Sequence, residues 1–425
     1  MEQKLATRRS FLSLAALVPI AAYTLTACGS SGPGDTSAGG ASIWSLSGQP
    51  DEGIRQATVD TFNEANSDSR IKITYFQNDA YKTKIKAAMS SGEGLPDIFF
   101  TWGMGFLGEF VDAGRVLNLD AYYPTYAAEL PEVMTGNSTY NGSHYGVPYS
   151  MSIVALYANM DLLKKAGWED IPATYEDMIK CCEDLKAAGI IPFGVSGKEL
   201  WCLSEYVEPL VIKSIGGAKL RDIYNGVATW NDPGVVKAIA AFQDMVTKEY
   251  FDPSAIALGN DEVKNNFIAG KYAFYQNGSW NNGDIGKSDI AANVKVGTFP
   301  VLDPENATLM QMIGGPNNTL AVTATTQYPD LAAKAAFELG KFLSNADYVS
   351  GANLPCWAAD PNAEVANDLI PAVANMVAQA DDMVLFGDNF LSADAANTYL
   401  DYIGQAFAGD ITAEEFAEGL ASELN

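Results

Sequence analysis

The sequence predicts an α/β protein of two domains, and three observations carry that expectation. Strand-like and helix-like patterns alternate at tight spacing between Ala41 and Trp102, as they do where helices layer on a sheet. About 385 residues follow a Ser/Gly-rich opening, more than one hydrophobic core usually organises. Apolar runs repeatedly end in short polar segments carrying tryptophan or tyrosine, which is where α/β sheets present ligand contacts.

The opening forty residues stand apart from that pattern. Lys4, Arg8 and Arg9 precede an uncharged stretch from Phe11 to Ala27, a basic region followed by an apolar one, as in an export signal. Pro19 interrupts the apolar run, and a spanning helix needs about 20 apolar residues. Leu25-Thr26-Ala27-Cys28 resembles a bacterial lipoprotein cleavage box, with Cys28 as the acylated first residue. Arg8-Arg9, followed by Ser10, Phe11 and Leu12, resembles a twin-arginine signal. Residues 1–27 are therefore expected to be a signal peptide and residues 28–40 a lipid-anchored, flexible tether.

The folded elements follow in order. "ASIWSLSG" reads as a strand, "EGIRQATVDTFNEAN" as a helix with Ile54, Ala57, Val59 and Phe62 on one face, and "RIKITYF" as a strand. "AYKTKIKAAMSSG" reads as helix and "DIFFTW" as strand, followed by a short helix and turn in "FLGEFVDAGRVLNLDAYY". Gly146 and Pro148 mark a break before the strand "SIVALYAN". Helices are expected at Tyr175–Ala188 and Val235–Thr247, strands in "AGKYAFYQNGSW" and "NTLAVTATT", and an amphipathic helix in "LAAKAAFELGKFLS" behind Tyr328-Pro329-Asp330.

Charge narrows the partners. Removing residues 1–27 leaves 23 Lys+Arg (26 − 3) against 51 Asp+Glu (52 − 1), a formal net of −28. Such a surface repels nucleic acid and anionic membranes. From Phe342 to Asn425 there are 14 acidic residues and no lysine or arginine, yet Trp357, Phe386, Tyr399 and Phe416 supply enough apolar spacing to fold. Cys181, Cys182, Cys202 and Cys356 match no zinc or redox spacing and read as small buried hydrophobes, although a bridge between distant members stays open.

Missing motifs exclude most catalysis. The single histidine, His144, sits in a turn. No zinc-protease, nucleophile-elbow or phosphate-loop motif occurs. "GMGFLG" has its third glycine, Gly108, misplaced for a dinucleotide fingerprint. No calcium loop is complete, so neither cofactor nor metal is expected. A glycosidase needs only two suitably spaced carboxylates, and nothing in the sequence singles out such a pair.

The informative segments are "IWSLSG", "YFQNDAY", "FTWGMG", "VPYSM", "KELWC", "YQNGSWNNGD", "IGGPNN" and "LFGDNF". Sugars offer apolar ring faces and rims of hydroxyls; indole and phenol rings cover the former, and short amides and carboxylates bind the latter. Trp102, Trp201 and Trp280 are the stacking candidates, and Asn277, Gly278, Asn281 and Asn282 beside Trp280 suggest a polar cleft. Asn78 and Asp79 fit either a ligand or a helix cap. Asp388 and Asn389 are placed on a candidate ligand loop, while Trp168, Trp230 and Trp357 read equally as core or rim.

Through "YKTKIKAAMSSGEGLPDIFFTW", "GVPYSMSIVALYANMDLLKKAG", "FIAGKYAFYQNGSW", "GGPNNTLAVTATT" and "AFAGDITAEEFAEGLASEL", the chain resembles an extracellular solute-binding protein (family 1) of an ABC-type carbohydrate importer. The resemblance implies a two-lobed periplasmic-binding-protein-like fold (type II) with the ligand between the lobes. It implies lobe one at 41–148 and 294–343, and lobe two at 149–293 and 344–425. It carries ligand contacts onto Ser45, Ser47, Asn78, Asp79, Trp102, Tyr149, Trp280, Gly314, Gly315 and Asp388. The implied function is capture of an oligosaccharide without catalysis by a lipid-anchored monomer, and its delivery to the membrane subunits of an ABC permease. Two departures affect sugar identity: Asn389 follows Asp388 where some relatives carry histidine, and Ala273-Phe274 replaces the usual alanine-methionine. The alternatives are a binding protein for a cationic solute such as a polyamine, held by converging carboxylates and cation–π contacts, a secreted glycosidase, and a surface adhesin without lobe closure.

Overall fold

A computed structural model describes residues 40–48, 51–67, 70–360 and 362–424. The expected signal peptide and Cys28 lie outside the described residues. Two lobes share one mixed sheet. In the first lobe β1 (Ala41–Leu46), β2 (Ile71–Phe76) and β3 (Ile98–Thr101) lie parallel, with β1 in the middle. Helices α1 (Asp51–Ala65) and α2 (Asn78–Ser91) provide the crossovers, and α3 (Met104–Asp112) follows β3. β4 (Gly146–Asn159), β5 (Ile191–Gly194), β6 (Tyr272–Gly278), β7 (Val294–Gly297), β8 (Gln311–Val322), β9 (Leu354–Pro355) and β10 (Asp382–Val384) complete the sheet. The order is β2-β1-β3-β8-β4-β6-β5, with β9 and β7 added on β4 and β10 on β8.

β4 is buried along all 14 residues, so it cannot show a polar/apolar alternation; it reads as the near-continuous apolar run of a strand covered on both faces. It pairs with β8 from Gly146 to Ile153 and with β6 from Val154 to Ala158. β8 behaves in the same way: Gln311–Ile313 pair with β10, and Thr319–Val322 with β3. These two strands are the crossings. At the second, Gly314 and Gly315 have φ of +148° and +147°, and a Cβ on Gly314 would come within 2.4 Å of the Ser152 carbonyl oxygen. Only glycine fits that approach without strain.

The buried apolar side chains form two cores, the first of which extends to Tyr157, Phe267, Tyr272 and Tyr275 around the later half of β4. Ile43, Phe62, Phe99, Leu107, Leu320 and Phe337 belong to one; Leu156, Phe193, Val207, Phe242, Phe274, Ile403 and Phe416 belong to the other. β4 changes partner from β8 to β6 between Ile153 and Val154, and β7 pairs with the later half of β4 while its Val296 packs in the first core. The chain also stays with the first core well past residue 344, because the helix Pro329–Val349 continues unbroken. Trp357 then packs there, its indole N–H donating to the Pro148 carbonyl at 3.0 Å.

Among the described residues all four cysteines are buried and unpaired. His144 is a structural residue of the first lobe, stacked 3.9 Å from Tyr123 and hydrogen-bonded to Asp120. Among the described residues no helix is long and apolar enough to cross a membrane, and no cluster of three or more His, Cys, Asp or Glu could hold a metal ion.

Candidate functional site

The strands deliver their polar ends to one cleft between the lobes, with a cavity of about 200 Å³. Leu46 and Ser47 enter at the end of β1, Arg55 from α1, Asn78 and Lys82 from the first turns of α2, and Trp102 directly after β3. The helix α4 (Trp201–Ile215) contributes Trp201 and Glu205 from the opposite wall. Asn260, Trp280, Phe386, Asp388 and Asn389 join them there, and the crossing strand β8 supplies Asn317 and Asn318.

The aromatic surface is asymmetric. Trp280 and Trp201 are partly exposed, 6.0 Å apart and tilted by 58°, with Phe386 5.6 Å from Trp280. The two indoles form a hydrophobic wall open to the cleft, with the buried Phe386 behind it. Trp102 is 7% exposed, wedged edge-on against Phe100 at 4.8 Å and Phe106 at 5.0 Å, with the Lys82 ammonium 5.0 Å from its ring centroid. It offers little ring face to a guest. The same ammonium pairs with Asp388 at 2.9 Å, joining α2 of one lobe to the helix Gly387–Phe390 of the other.

Four buried polar atoms on this cavity's lining residues have no hydrogen-bond partner: Ser47 Oγ, Glu205 Oε2, Asn317 Oδ1 and Asn389 Oδ1. They come from both lobes and the crossing strand. Each such atom costs free energy unless a ligand or water satisfies it. Burial, followed by repulsion from Glu208 and Asp388, holds the Glu205 carboxyl well above the usual carboxylate range. Glu208 is raised as well, by burial and then by Asp388, and its Oε1 accepts from the Gly387 amide at 3.0 Å.

The structure brings together Ser47, Asn78, Trp102, Trp201, Trp280, Asp388 and Asn389. It places the other candidates elsewhere. Ser45 and Tyr149 line a narrow apolar gap inside the first lobe; successive residues of a strand face opposite sides of the sheet, so Ser45 points away from the cleft that its neighbour Leu46 lines. Asp79 is exposed one position beyond Asn78, and its carboxylate accepts from the Asn78 amide. Asn282 is fully buried, its Oδ1 accepting from the Tyr157 hydroxyl at 2.7 Å. Gly314 and Gly315 shape the crossing and do not line the cavity. Asn277 and Asn281, expected to make the surroundings of Trp280 polar, instead hold its turn together: Asn277 Oδ1 accepts from the Gly278 amide and from Asn281 Nδ2.

Sequence reasoning missed Leu46, Arg55, Lys82, Glu205, Asn260, Asn317, Asn318 and Phe386. Leu46, Asn317, Asn318 and Phe386 lay within segments already marked by their mixture of rings and amides. Arg55, Lys82 and Glu205 sit inside helices, where a charged residue looks like any solvated position.

The family of bacterial extracellular solute-binding proteins matches residues 47–349, which include both crossing strands. The chain belongs to that family. Its members bind a solute and do not transform it. A solved structure from work on xylan utilization by the thermophilic bacterium Caldanaerobius polysaccharolyticus is 33% identical to this solute-binding protein. It superposes with a TM-score of 0.86 over 91% of this chain and 100% of that one. The Multiple sugar-binding protein of Streptococcus mutans is 23% identical over 302 residues, 68% of this chain and 67% of that protein. A binding protein of Brucella abortus is 28% identical over 203 residues, so the match spans about half the length of each, 47% of this chain and 48% of that relative.

Proposed function

We propose that this solute-binding protein captures an uncharged oligosaccharide in its interlobe cleft and delivers it to an ABC permease. The observation that carries the reading is the convergence of the four unpartnered polar atoms, Ser47 Oγ, Glu205 Oε2, Asn317 Oδ1 and Asn389 Oδ1, beside the Trp201–Trp280 wall. Neutral acceptors and donors beside flat rings suit a hydroxyl-bearing ring with an apolar face. The likeness to the structure from work on xylan utilization favours a β-linked pentose chain of the xylan kind.

Capture requires no bond to be made or broken. A guest touching both lobes binds the closed arrangement better than the open one and so shifts that equilibrium. The carrier is proposed to be a monomer, exported by a twin-arginine type signal and held at the outer face of the membrane through acylated Cys28. Two acyl chains would give stable anchoring.

A cationic guest is the second reading, and one observation favours it: two carboxylates, Glu205 and Asp388, line the cavity. Lys82 already neutralises Asp388, however, and Arg55 brings a further positive charge to the same lining. Titration calorimetry of the purified protein with xylo-, cello-, malto- and fructo-oligosaccharides and with spermidine separates the readings. Micromolar or tighter binding of one saccharide class is expected, with no release of reducing ends on prolonged incubation. Binding of spermidine alone contradicts the proposal.

A further inference from the structure

Glu205 differs from every other group on the cleft. Its main chain is fixed by Gln276, whose Nε2 donates to the Glu205 carbonyl at 2.7 Å. The residue is 3% exposed and faces the cavity, and its Oε2 has no hydrogen-bond partner. Among the described residues no lysine or arginine pairs with it, since Lys82 is committed to Asp388 and lies over Trp102. The charged groups acting on it are both acidic: Glu208, one turn along the same helix, and Asp388 on the facing loop. The other titratable groups within electrostatic reach are Cys202 and Tyr206 of its own helix and Tyr157 and Tyr275 of the sheet. None contributes a positive charge; the cations on the same lining are Lys82, paired with Asp388, and Arg55, whose Nη1 donates to the Leu46 carbonyl at 3.0 Å. Burial beside two acidic neighbours favours the protonated form, and a carboxylic acid offers one donor as well as acceptors.

Glu208 shows the contrast. It is equally buried, but its Oε1 holds the Gly387 amide and thereby the loop that carries Asp388 and Asn389. Glu205 has no such structural engagement for Oε2. A buried polar atom kept unpaired at a cavity wall is costly unless a guest completes it.

We propose that Glu205 is a specificity-determining contact that reads a hydroxyl group of the ligand as an uncharged carboxylic acid. The inference rests on the saccharide reading above and adds to it the residue that discriminates a hydroxyl from an ammonium group. A site that hydrogen-bonds a substrate hydroxyl rejects analogues lacking it, because its own buried group is then left unpaired.

Calorimetry with xylotetraose and with spermidine on the parent protein, Glu205→Gln, Glu205→Ala and Glu205→Met tests this. The amide of the Gln variant donates and accepts without charge, so its affinity for xylotetraose stays within about threefold of the parent. Ala and Met both weaken it tenfold or more, about 1.4 kcal/mol; Met fills the volume that Ala empties, which separates the lost hydrogen bond from a cavity. Melting temperatures confirm that each variant is folded. The inference is overturned alone if the parent binds xylotetraose and all three variants match it, or if Gln loses as much as Ala. If the parent binds spermidine but not xylotetraose, and Gln abolishes that binding, the inference and the saccharide reading fall together.

Discussion

At the residue scale the site is a division of labour among three tryptophans. Trp280 and Trp201 form an open wall backed by the buried Phe386, whereas Trp102 is locked among Phe100, Phe106, Tyr81 and the Lys82 ammonium. Trp280→Ala is therefore expected to weaken saccharide binding by about 1–3 kcal/mol, the range of ring stacking on nucleobases. Calorimetry reads this directly, and quenching of the remaining indoles on titration is an independent measure. Trp102→Phe is expected to cost less affinity, since the ring chiefly buttresses the end of β3. An equal loss in the two variants would mean that the guest lies against the first lobe instead. The sequence showed the three rings at strand and helix termini but not which of them presents a face, because that depends on neighbours distant in the chain.

At the element scale the helix α4 is the most informative case. Every residue from Cys202 to Ile215 is buried, including Glu205, Glu208 and Lys213, and Pro209 stands inside it. A helix buried on all sides has no apolar stripe to detect, which is why periodicity located the helices near Tyr175 and Val235 and passed over this one. Its two acidic residues have a thermodynamic consequence. The carboxyls of Glu205 and Glu208 lie well above the ordinary value when folded. Between that ordinary value and the folded one, the native state binds more protons than the unfolded state. Their contribution to stability is then fully present below about pH 4.5 and is lost as pH rises through the folded values. For one proton the slope cannot exceed about 1.4 kcal/mol per pH unit. Glu208→Gln keeps an oxygen for the Gly387 amide and removes the titration. Its melting temperature is expected to equal the parent's near pH 4.5 and to exceed it increasingly toward pH 8. A pH-independent offset would contradict this account.

Legibility at this scale follows the same physics. The β1-α1-β2-α2-β3 run was readable because its helices are half solvated and its connections short. The β8 crossing was read only in its second half, "NTLAVTATT", since the glycines and proline of "IGGPNN" look like a loop until β4 is seen alongside. Ser45 and Ser47 are two positions apart, so strand alternation alone would put them on one face; β1 ends at Leu46, and Ser47 just beyond it reaches the cleft while Ser45 turns inward with Tyr149.

For the whole molecule, two strands cross between the lobes, and polar contacts join the lobes again beside the cleft. Lys82–Asp388 at 2.9 Å, Lys86–Asp394 at 2.7 Å, and Glu109 accepting from the Ala393 amide at 2.8 Å fasten α2 and α3 to the opposite lobe. Partly exposed pairs of this kind contribute little, so they can part and re-form with the guest. The arrangement, with glycine at the crossing, fits a carrier that opens and closes about its shared sheet. The central claim is that an uncharged saccharide completes the unpaired polar groups of this cleft. A crystal structure of the protein grown with xylotetraose tests it most directly. The account predicts a pentose ring against Trp280 and hydroxyls within about 3 Å of Glu205 and of at least one of Ser47, Asn317 and Asn389. A saccharide bound outside the cleft, or one that leaves all four of those groups without a partner, would contradict it.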